Sequence, residues 1–150
     1  MKIIIGSDHA AFTVKEFVKE FLHSKNIKLI DVGPDSLERC DYPDYAIALC
    51  KKVIESNNTG ILLCGSGIGV SMVANRFADI RAALCRTPED AEMARKHNDA
   101  NVICLGARVS TDEEIKLILE SWFHHQFEGG RHIDRIKKFQ TLGEKWPIKI

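Results

Sequence analysis

Short apolar segments rich in branched side chains alternate along the chain with segments of helical periodicity. The apolar segments are KIIIG (2–6), KLIDV (28–32), GILLC (60–64), IRAALC (80–85) and NVICL (101–105). Apolar runs of this length predict strands that are buried on both faces, as in a parallel sheet. Their alternation with helical segments predicts an α/β protein in which helices cover both faces of the sheet.

The helical segments show where the covering helices begin. Residues 12–24 carry apolar side chains at helical spacing, and residues 43–56 open with Pro43, which suits a first helical turn. Residues 70–78 predict a third helix. The sequences after Thr87 and Thr111 are typical of helix starts, the second with a capping box. A short helical pattern follows Gly129-Gly130 and cannot continue through Pro147.

These elements predict one domain over residues 1–150, with the fold of a Rossmann-like three-layer αβα sandwich. We expect a five-stranded parallel sheet with the strand order 2-1-3-4-5. In such a sheet a ligand lies beyond the carboxyl ends of strands 1 and 3, where the winding direction reverses. Strand 1 is followed by Ser7-Asp8-His9, and strand 3 runs into the glycine-rich sequence CGSGIG (64–69).

The glycine-rich sequence predicts an anion site of an uncommon kind. A glycine turn between a strand and a helix exposes backbone N–H groups, which bind a phosphate or an oxyanion formed during a reaction. The dinucleotide fingerprint would require glycine at position 70, which is Val70, and the phosphate loop G-x-x-x-x-G-K-[ST] is absent.

Composition narrows the class of protein. The 150 residues include 21 Lys+Arg and 21 Asp+Glu, and this zero net charge disfavours a nucleic-acid partner. Five cysteines without a C-x-x-C pair argue against a disulfide framework or a zinc site. The N-terminus lacks a secretory signal pattern, and the apolar stretch 60–74 is shorter than the roughly 20 residues of a membrane span. We expect a soluble cytoplasmic protein with no membrane partner.

Cys64 is the strongest candidate for chemistry. A cysteine that ends a strand is often only a small buried residue. A thiol beside a helix N-terminus instead has a lowered pKa, and the adjoining N–H groups favour this interpretation. The remaining cysteines lack such a setting and are predicted to be packing or surface residues; they are Cys40, Cys50, Cys85 and Cys104.

Other polar residues admit both structural and functional interpretations. Asp8 and His9 could cap the first helix, and His97 lies where the fourth helix is predicted to end. Arg131 and Arg135 are four residues apart, which would aim two guanidinium groups at one point, although a solvated basic face is the commoner explanation. No convincing metal-ligand spacing links the histidines at positions 124, 125 and 132.

Five segments in this order resemble the ribose-5-phosphate isomerase B family, which also includes allose-6-phosphate and galactose-6-phosphate isomerases. The segments are GSDHAAF (6–12), DYPDYA (41–46), CGSGIGVSMVANR (64–76), RKHNDANVICLGAR (95–108) and EGGRHIDRI (128–136). They extend over nearly the whole chain. Two positions depart from the family pattern: Ala11 replaces a usual glycine, and Ser66 replaces a common threonine.

The resemblance implies an aldose–ketose isomerase of carbohydrate metabolism that interconverts D-ribose 5-phosphate and D-ribulose 5-phosphate in the pentose phosphate pathway. It implies that no metal or other cofactor takes part. Cys64 would move a proton between C1 and C2 through an enediolate. His97 would help to open the furanose ring, with Asp8 near the ring oxygens, and the Ser66 hydroxyl would assist.

The resemblance also implies a set of binding residues. The backbone N–H groups that would hold the enediolate oxygens belong to Gly65, Ser66, Gly67, Ile68 and Gly69. Asn98 would bind the sugar, and the phosphate would contact His9, Arg108, Arg131 and Arg135. A homodimer or a dimer of dimers is expected, with the site between subunits.

Two other functions are compatible with the same residues. A related hexose 6-phosphate isomerase would use the same machinery, with room for one more carbon. A non-catalytic sugar-phosphate sensor on the same sheet would have no need for a base at Cys64. Loss of turnover, without loss of binding, in a Cys64→Ala variant separates the enzyme from the sensor.

Overall fold

The structure, a computed structural model, describes residues 2–141 and shows a five-stranded parallel sheet between two layers of helices. The strands are β1 (Lys2–Ser7), β2 (Lys28–Asp31), β3 (Thr59–Cys64), β4 (Ala82–Leu84) and β5 (Val102–Gly106). The helices are α1 (Phe12–Ser24), α2 (Tyr42–Ser56), α3 (Ile68–Ala74), α4 (Pro88–Asn98), α5 (Asp112–His124) and α6 (Ile133–Lys137). The predicted fold class is confirmed, whereas the prediction at Pro147 lies outside the described residues.

The order of the last two strands differs from the prediction. The sheet runs β2-β1-β3-β5-β4, so the predicted order 2-1-3-4-5 was wrong at its end. Every residue of β5 is buried, whereas β4 has only three residues and is half-buried. A long, wholly apolar strand is stable in the interior of the sheet, and a short, half-exposed strand suits its edge.

Strand order decides which face each helix covers, because parallel crossover connections are right-handed. The chain moves outward from β3 to β4, and α3 packs on the same face as α2, around Leu49 and Val70. It then turns back from β4 to β5, so α4 packs on the opposite face with α1 and α5, around Val18, Ala91 and Ile118. Within residues 2–141, no helix is both long and apolar enough to cross a membrane.

The carboxyl ends of β1 and β3 lie side by side, as the sequence predicted. Ser7 pairs with Leu63 in the parallel register, and the Asp8 N–H donates to the Leu63 carbonyl at 3.2 Å. The loop after β1 and the glycine-rich loop after β3 therefore share one edge of the sheet.

A wholly buried lysine fixes the loop that follows β2. The Lys15 side chain has no exposed surface, and its Nζ donates to both carboxylate oxygens of Asp31, at 2.8 and 2.7 Å, and to the Pro34 carbonyl at 2.8 Å. Lys19 contacts the same carboxylate at 2.7 Å. Burial alone would raise the pKa of Asp31, but the hydrogen bonds from both lysines lower it overall.

The first prediction concerns this ion pair. Since the pKa of folded Asp31 lies below its unfolded value of about 3.9, its carboxylate stabilises the fold above that pH and stops doing so as pH falls through the folded value. Asp31→Asn should lower the free energy of unfolding at pH 7 by about 3 kcal/mol, because it leaves the buried Lys15 with only the more distant Glu16 carboxylate, at 3.5 Å. It should also flatten the acid limb of the stability curve. Denaturant titrations between pH 2 and pH 7 measure both effects.

Glu20→Gln, an exposed change on the helix that carries Lys15, is the matched control and should leave stability nearly unchanged. An Asp31→Asn protein with the acid sensitivity of the parent would contradict this account of the ion pair.

Candidate active site

Cys64 is the last residue of β3, and its sulfur lies against the loop that follows. Only 4% of the residue is exposed, and the Gly67 N–H donates to Cys64 Sγ at 3.1 Å. A backbone donor aimed at the sulfur complements negative charge on it. We call residues 64–69 the glycine loop.

Two glycines are required by the shape of this loop. Gly67 has φ of +75°, and a Cβ on it would lie 2.6 Å from Leu84 Cδ1 and 3.1 Å from the Leu105 carbonyl oxygen. A Cβ on Gly106, at the end of β5, would lie 2.7 Å from the Ser66 carbonyl carbon. The loop thus folds directly onto the backbone at the end of β5, where side chains would not fit.

Some N–H groups of the glycine loop already donate a hydrogen bond within the chain, and others have no acceptor there. The Gly67 N–H points to Cys64 Sγ, and the Ile68 N–H donates to Ser66 Oγ at 3.3 Å. Within residues 2–141, the N–H groups of Gly65 and Ser66 have no acceptor. Gly69 lies in the first turn of α3, where the N–H groups have no intrahelical partner. Because α3 has only seven residues, its dipole is small, and an anion at its start would be bound mainly by these N–H groups.

Asp8 and His9 follow β1 at the same edge. Asp8 Oδ1 accepts from the Ala11 N–H at 3.2 Å, so the predicted capping role is real and occupies one carboxylate oxygen. His9 Nδ1 lies 3.1 Å from the Cys40 carbonyl and 3.2 Å from the Cys40 N–H, which orients the ring. Ala11 is fully buried with φ of −114°, so this position accommodates alanine without strain.

Two side chains lie over glycines of the loop. A Cβ on Gly65 would lie 3.4 Å from Arg108 Cδ and 3.5 Å from Arg108 Nη1, and the Arg108 N–H donates to the Gly65 carbonyl at 2.9 Å. A Cβ on Gly69 would lie 2.8 Å from the ring of Tyr42. Tyr42 was missed in the sequence because its signal, a glycine shielded by an aromatic ring, exists only in three dimensions.

The other buried thiols are poor candidates for a base. Burial raises the pKa of Cys50 to about 12, and burial together with the nearby Asp90 raises that of Cys85 to about 12. Burial also raises the pKa of Cys104 well above its ordinary value. All five cysteines are free thiols in the structure.

The remaining candidates gather elsewhere in the chain. His97 and Asn98 form the last turn of α4, which runs antiparallel to the strands and therefore ends at their amino edge. The Asn101 carbonyl just beyond accepts from the Gly60 N–H, at the start of β3. An 11-residue helix spans about 16 Å, so His97 and Cys64 of one chain lie at opposite edges of the sheet.

His97 belongs to a compact group of charged and aromatic side chains. We call it the histidine cluster, and its members are Lys96, His97, Glu128, Arg131 and His132. The rings of His97 and His132 stack with centroids 4.4 Å apart and planes at 8°. Glu128 bonds Lys96 at 3.0 Å and lies 3.8 Å from His97 Nε2, and the Lys96 hydrogen bond lowers the pKa of Glu128.

The histidine cluster contains three potential metal ligands that the sequence did not bring together. Donor atoms of His97, Glu128 and His132 lie within 4.8 Å of one another. Imidazole lone pairs lie in the ring plane, so two parallel stacked rings do not aim at a common ion. Glu128 is also paired with Lys96, and His132 with Arg131. The geometry favours a cationic cluster over a metal centre.

Arg131 and Arg135 are both exposed beside this cluster, the first in a 3-10 turn (Gly130–His132) and the second in α6. The charges of both arginines contribute to lowering the pKa of His132, after burial and His97, so both side chains lie near this ring; that they converge on one phosphate stays a prediction. The structure therefore divides the candidate residues into two groups at opposite edges of the sheet. One holds Asp8, His9, the glycine loop and Arg108, and the other holds His97, Asn98, Arg131 and Arg135.

Comparison with known proteins identifies the family. The family model described as Ribose/Galactose Isomerase matches residues 3–139. Ribose-5-phosphate isomerase B of Escherichia coli (strain K12) is 40% identical over 145 residues, which are 96% of this chain and 97% of that protein. The probable ribose-5-phosphate isomerase B of Mycoplasma genitalium is 41% identical over 139 residues, 91% of each chain. The chain belongs to the Ribose/Galactose Isomerase family.

Solved structures agree with this assignment. A ribose 5-phosphate isomerase from Thermotoga maritima has a TM-score of 0.92 and 45% identity, covering 94% of this chain and 98% of that one. The ribose-5-phosphate isomerase B of Mycoplasma genitalium, solved with bound ribulose-5-phosphate, has a TM-score of 0.90 and 40% identity, covering 93% and 94%. The resemblance expected from the sequence motifs is confirmed.

The second prediction tests the shape of the glycine loop. Gly67→Ala should lower the free energy of unfolding by about 2 kcal/mol, since alanine is strained at positive φ and its Cβ would meet the Leu105 backbone. Gly65→Ala is the matched control and should cost less than about 1 kcal/mol, because its Cβ would meet only the movable Arg108 side chain. Denaturant unfolding of both variants makes the comparison. Equal losses would contradict the specific requirement for glycine at position 67.

Proposed function

We propose that the protein is an aldose–ketose isomerase that interconverts D-ribose 5-phosphate and D-ribulose 5-phosphate, and that residues 1–150 form a single sugar-phosphate isomerase domain in the cytoplasm. The proposal rests mainly on the position of Cys64, whose sulfur accepts from the Gly67 N–H and lies beside backbone N–H groups that have no acceptor within the described residues. Family membership supports it, as does the likeness to a relative solved with bound ribulose-5-phosphate.

The reaction moves two protons on an open-chain sugar phosphate. In the forward direction the Cys64 thiolate removes the proton on C2, the C1–C2 double bond of an enediolate forms, and negative charge collects on O1. The proton of the O2 hydroxyl passes to O1, and the thiol returns its proton to C1, which leaves the carbonyl on C2. The net change is a proton transfer from C2 to C1 and another from O2 to O1, so no oxidant or reductant is consumed.

The glycine loop supplies what this chemistry requires. A proton on carbon beside a carbonyl is only weakly acidic, so the enediolate must be stabilised as it forms. The N–H groups of Gly65, Ser66 and Gly69 are the open donors for its oxygens. The Ile68 N–H donates to Ser66 Oγ, so it can bind an enediolate oxygen, as predicted, only if that hydrogen bond breaks. The Gly67 N–H donates to Cys64 Sγ and therefore acts on the base, not directly on the enediolate.

The phosphate and the sugar ring use the charged residues around this loop. Arg108 lies over Gly65, and His9 is oriented by Cys40 at the same edge of the sheet. Arg131 and Arg135 supply the stronger cationic pair for a phosphate, and Asn98 is the sugar contact. His97 is the acid that opens the furanose ring, with Asp8 near the ring oxygens.

The candidate residues at the carboxyl edge and those at the amino edge of the sheet can form one site only if a second copy of the chain contributes one of the two sets. His97 and Cys64 of one chain lie at opposite edges of the sheet, so each site combines the glycine loop of one subunit with the histidine cluster of another. Ile68 and Met72 of α3, beside the glycine loop, are 44% and 68% exposed and suit a subunit interface. A homodimer or a dimer of dimers satisfies this requirement.

The third prediction tests the activity. The purified protein should convert ribose 5-phosphate to ribulose 5-phosphate in the presence of EDTA, and Cys64→Ala should reduce turnover at least about a thousandfold because the base is removed. Binding of the sugar phosphate to Cys64→Ala, measured by calorimetry, should remain close to that of the parent. Cys50→Ala is the matched control, since this buried thiol lies outside the site, and it should retain turnover.

Other outcomes would change the proposal in distinct ways. Preference for allose 6-phosphate or galactose 6-phosphate would replace the substrate and keep the mechanism. Binding without turnover of any of the three sugar phosphates would support a sensor. Inactivation by EDTA that a divalent ion reverses would contradict chemistry by protein groups alone.

A further inference from the structure

His132 is a buried imidazole that the proposed mechanism does not use. Only 5% of the residue is exposed, and one face of its ring stacks on His97 with centroids 4.4 Å apart and planes at 8°. Its backbone N–H donates to the Gly129 carbonyl at 3.1 Å, which fixes the turn that carries it. The stack presents one defined orientation of the His97 ring, although His97 itself lies on the last turn of a helix, where side chains are usually mobile.

At its edge, the His132 ring forms a hydrogen bond with Arg131. Arg131 Nε donates to His132 Nε2 at 3.4 Å, so Nε2 is an acceptor and the ring proton resides on Nδ1. His132 is then neutral, in agreement with the lowering of its pKa by burial and by the nearby charges of His97, Arg131 and Arg135, against an opposing effect of Glu128. A neutral His132 ring adds no further positive charge beside His97, which must exchange protons, or beside the permanent cations Arg131 and Arg135.

We propose that His132 is a positioning residue that joins His97 and Arg131 into one rigid unit. Its ring face orients the ring-opening acid, and its Nε2 orients a guanidinium that binds phosphate. This inference rests on the proposed function, in which His97 opens the sugar ring and Arg131 binds the phosphate. It explains why an imidazole is buried here, since leucine or phenylalanine would fill the space without accepting from Arg131.

The two contacts of His132 can be removed separately. His132→Phe keeps an aromatic face for His97 and removes the acceptor for Arg131. His132→Gln places Oε1 near the position of Nε2, which keeps an acceptor, and removes the stacked ring. The proposal therefore predicts opposite defects in the two variants.

Ring opening and proton transfer can also be measured separately. Ribulose 5-phosphate is an open-chain substrate, because the hydroxyl that would close a five-membered ring is the one esterified to phosphate. Exchange of its C1 proton with deuterium from solvent requires Cys64 and the glycine loop but no ring opening. Turnover of saturating ribose 5-phosphate, which is mainly cyclic, requires ring opening as well.

The two His132 variants should change different kinetic parameters. His132→Gln should lower kcat for ribose 5-phosphate about tenfold or more, with KM and the C1 exchange of ribulose 5-phosphate nearly unchanged, because the acid is misplaced. His132→Phe should raise KM for both sugar phosphates about tenfold, with a smaller change in kcat. His23→Gln and His23→Phe are the control pair on an exposed histidine of α1 and should behave as the parent.

His97→Asn separates a failure of this inference from a failure of the proposed function. If His97→Asn retains ribose 5-phosphate turnover, the assigned role of His97 is wrong. If His97→Asn loses that turnover and retains C1 exchange, while both His132 variants behave as the parent, His132 does not position anything. Parallel loss of turnover and exchange in both His132 variants, together with a lowered melting temperature, would show a merely structural residue and overturn the inference.

Discussion

A parallel sheet returns the chain to the amino edge after every strand, and this constraint governs where chemistry can be assembled in the protein. The loops after β1 and β3 lie together at the carboxyl edge, and they bring Asp8 and the glycine loop side by side. The C-terminal end of α4 must lie at the other edge, and it takes His97 with it. The proposed isomerase site therefore requires a second subunit to supply His97, since an imidazole side chain is far shorter than the strands that separate the two edges.

The chemistry at the carboxyl edge depends on close approach of backbone to backbone. Gly67 adopts a positive φ against the Leu105 carbonyl, and this conformation directs its N–H to the Cys64 sulfur. The same fold of the loop leaves the N–H groups of Gly65 and Ser66 open within the described chain. In the proposed mechanism one loop thus holds both the base, Cys64, and the N–H donors for the charge that the base creates, and neither requires a long, mobile side chain.

The sequence predicted the architecture well where hydrophobic pattern alone decides it. The five strands, the helices between them and the position of Cys64 at the end of β3 were all read from periodicity and turn residues. The order of β4 and β5 was wrong, because relative strand burial is not visible in the segments IRAALC and NVICL taken one by one. The stack of His97 on His132 and the Tyr42 ring over Gly69 depend on packing between distant segments, which periodicity does not report.

Subunit complementation is the most direct test of the proposal that each active site is shared between two chains. A Cys64→Ala protein and a His97→Asn protein, each inactive alone in ribose 5-phosphate turnover, would be unfolded together and refolded as a mixture. If each site takes Cys64 from one chain and His97 from its partner, half of the sites in a mixed dimer are intact, and random assembly restores about a quarter of the parent activity. A mixture that stays inactive, although mass spectrometry shows mixed oligomers, would contradict the shared site.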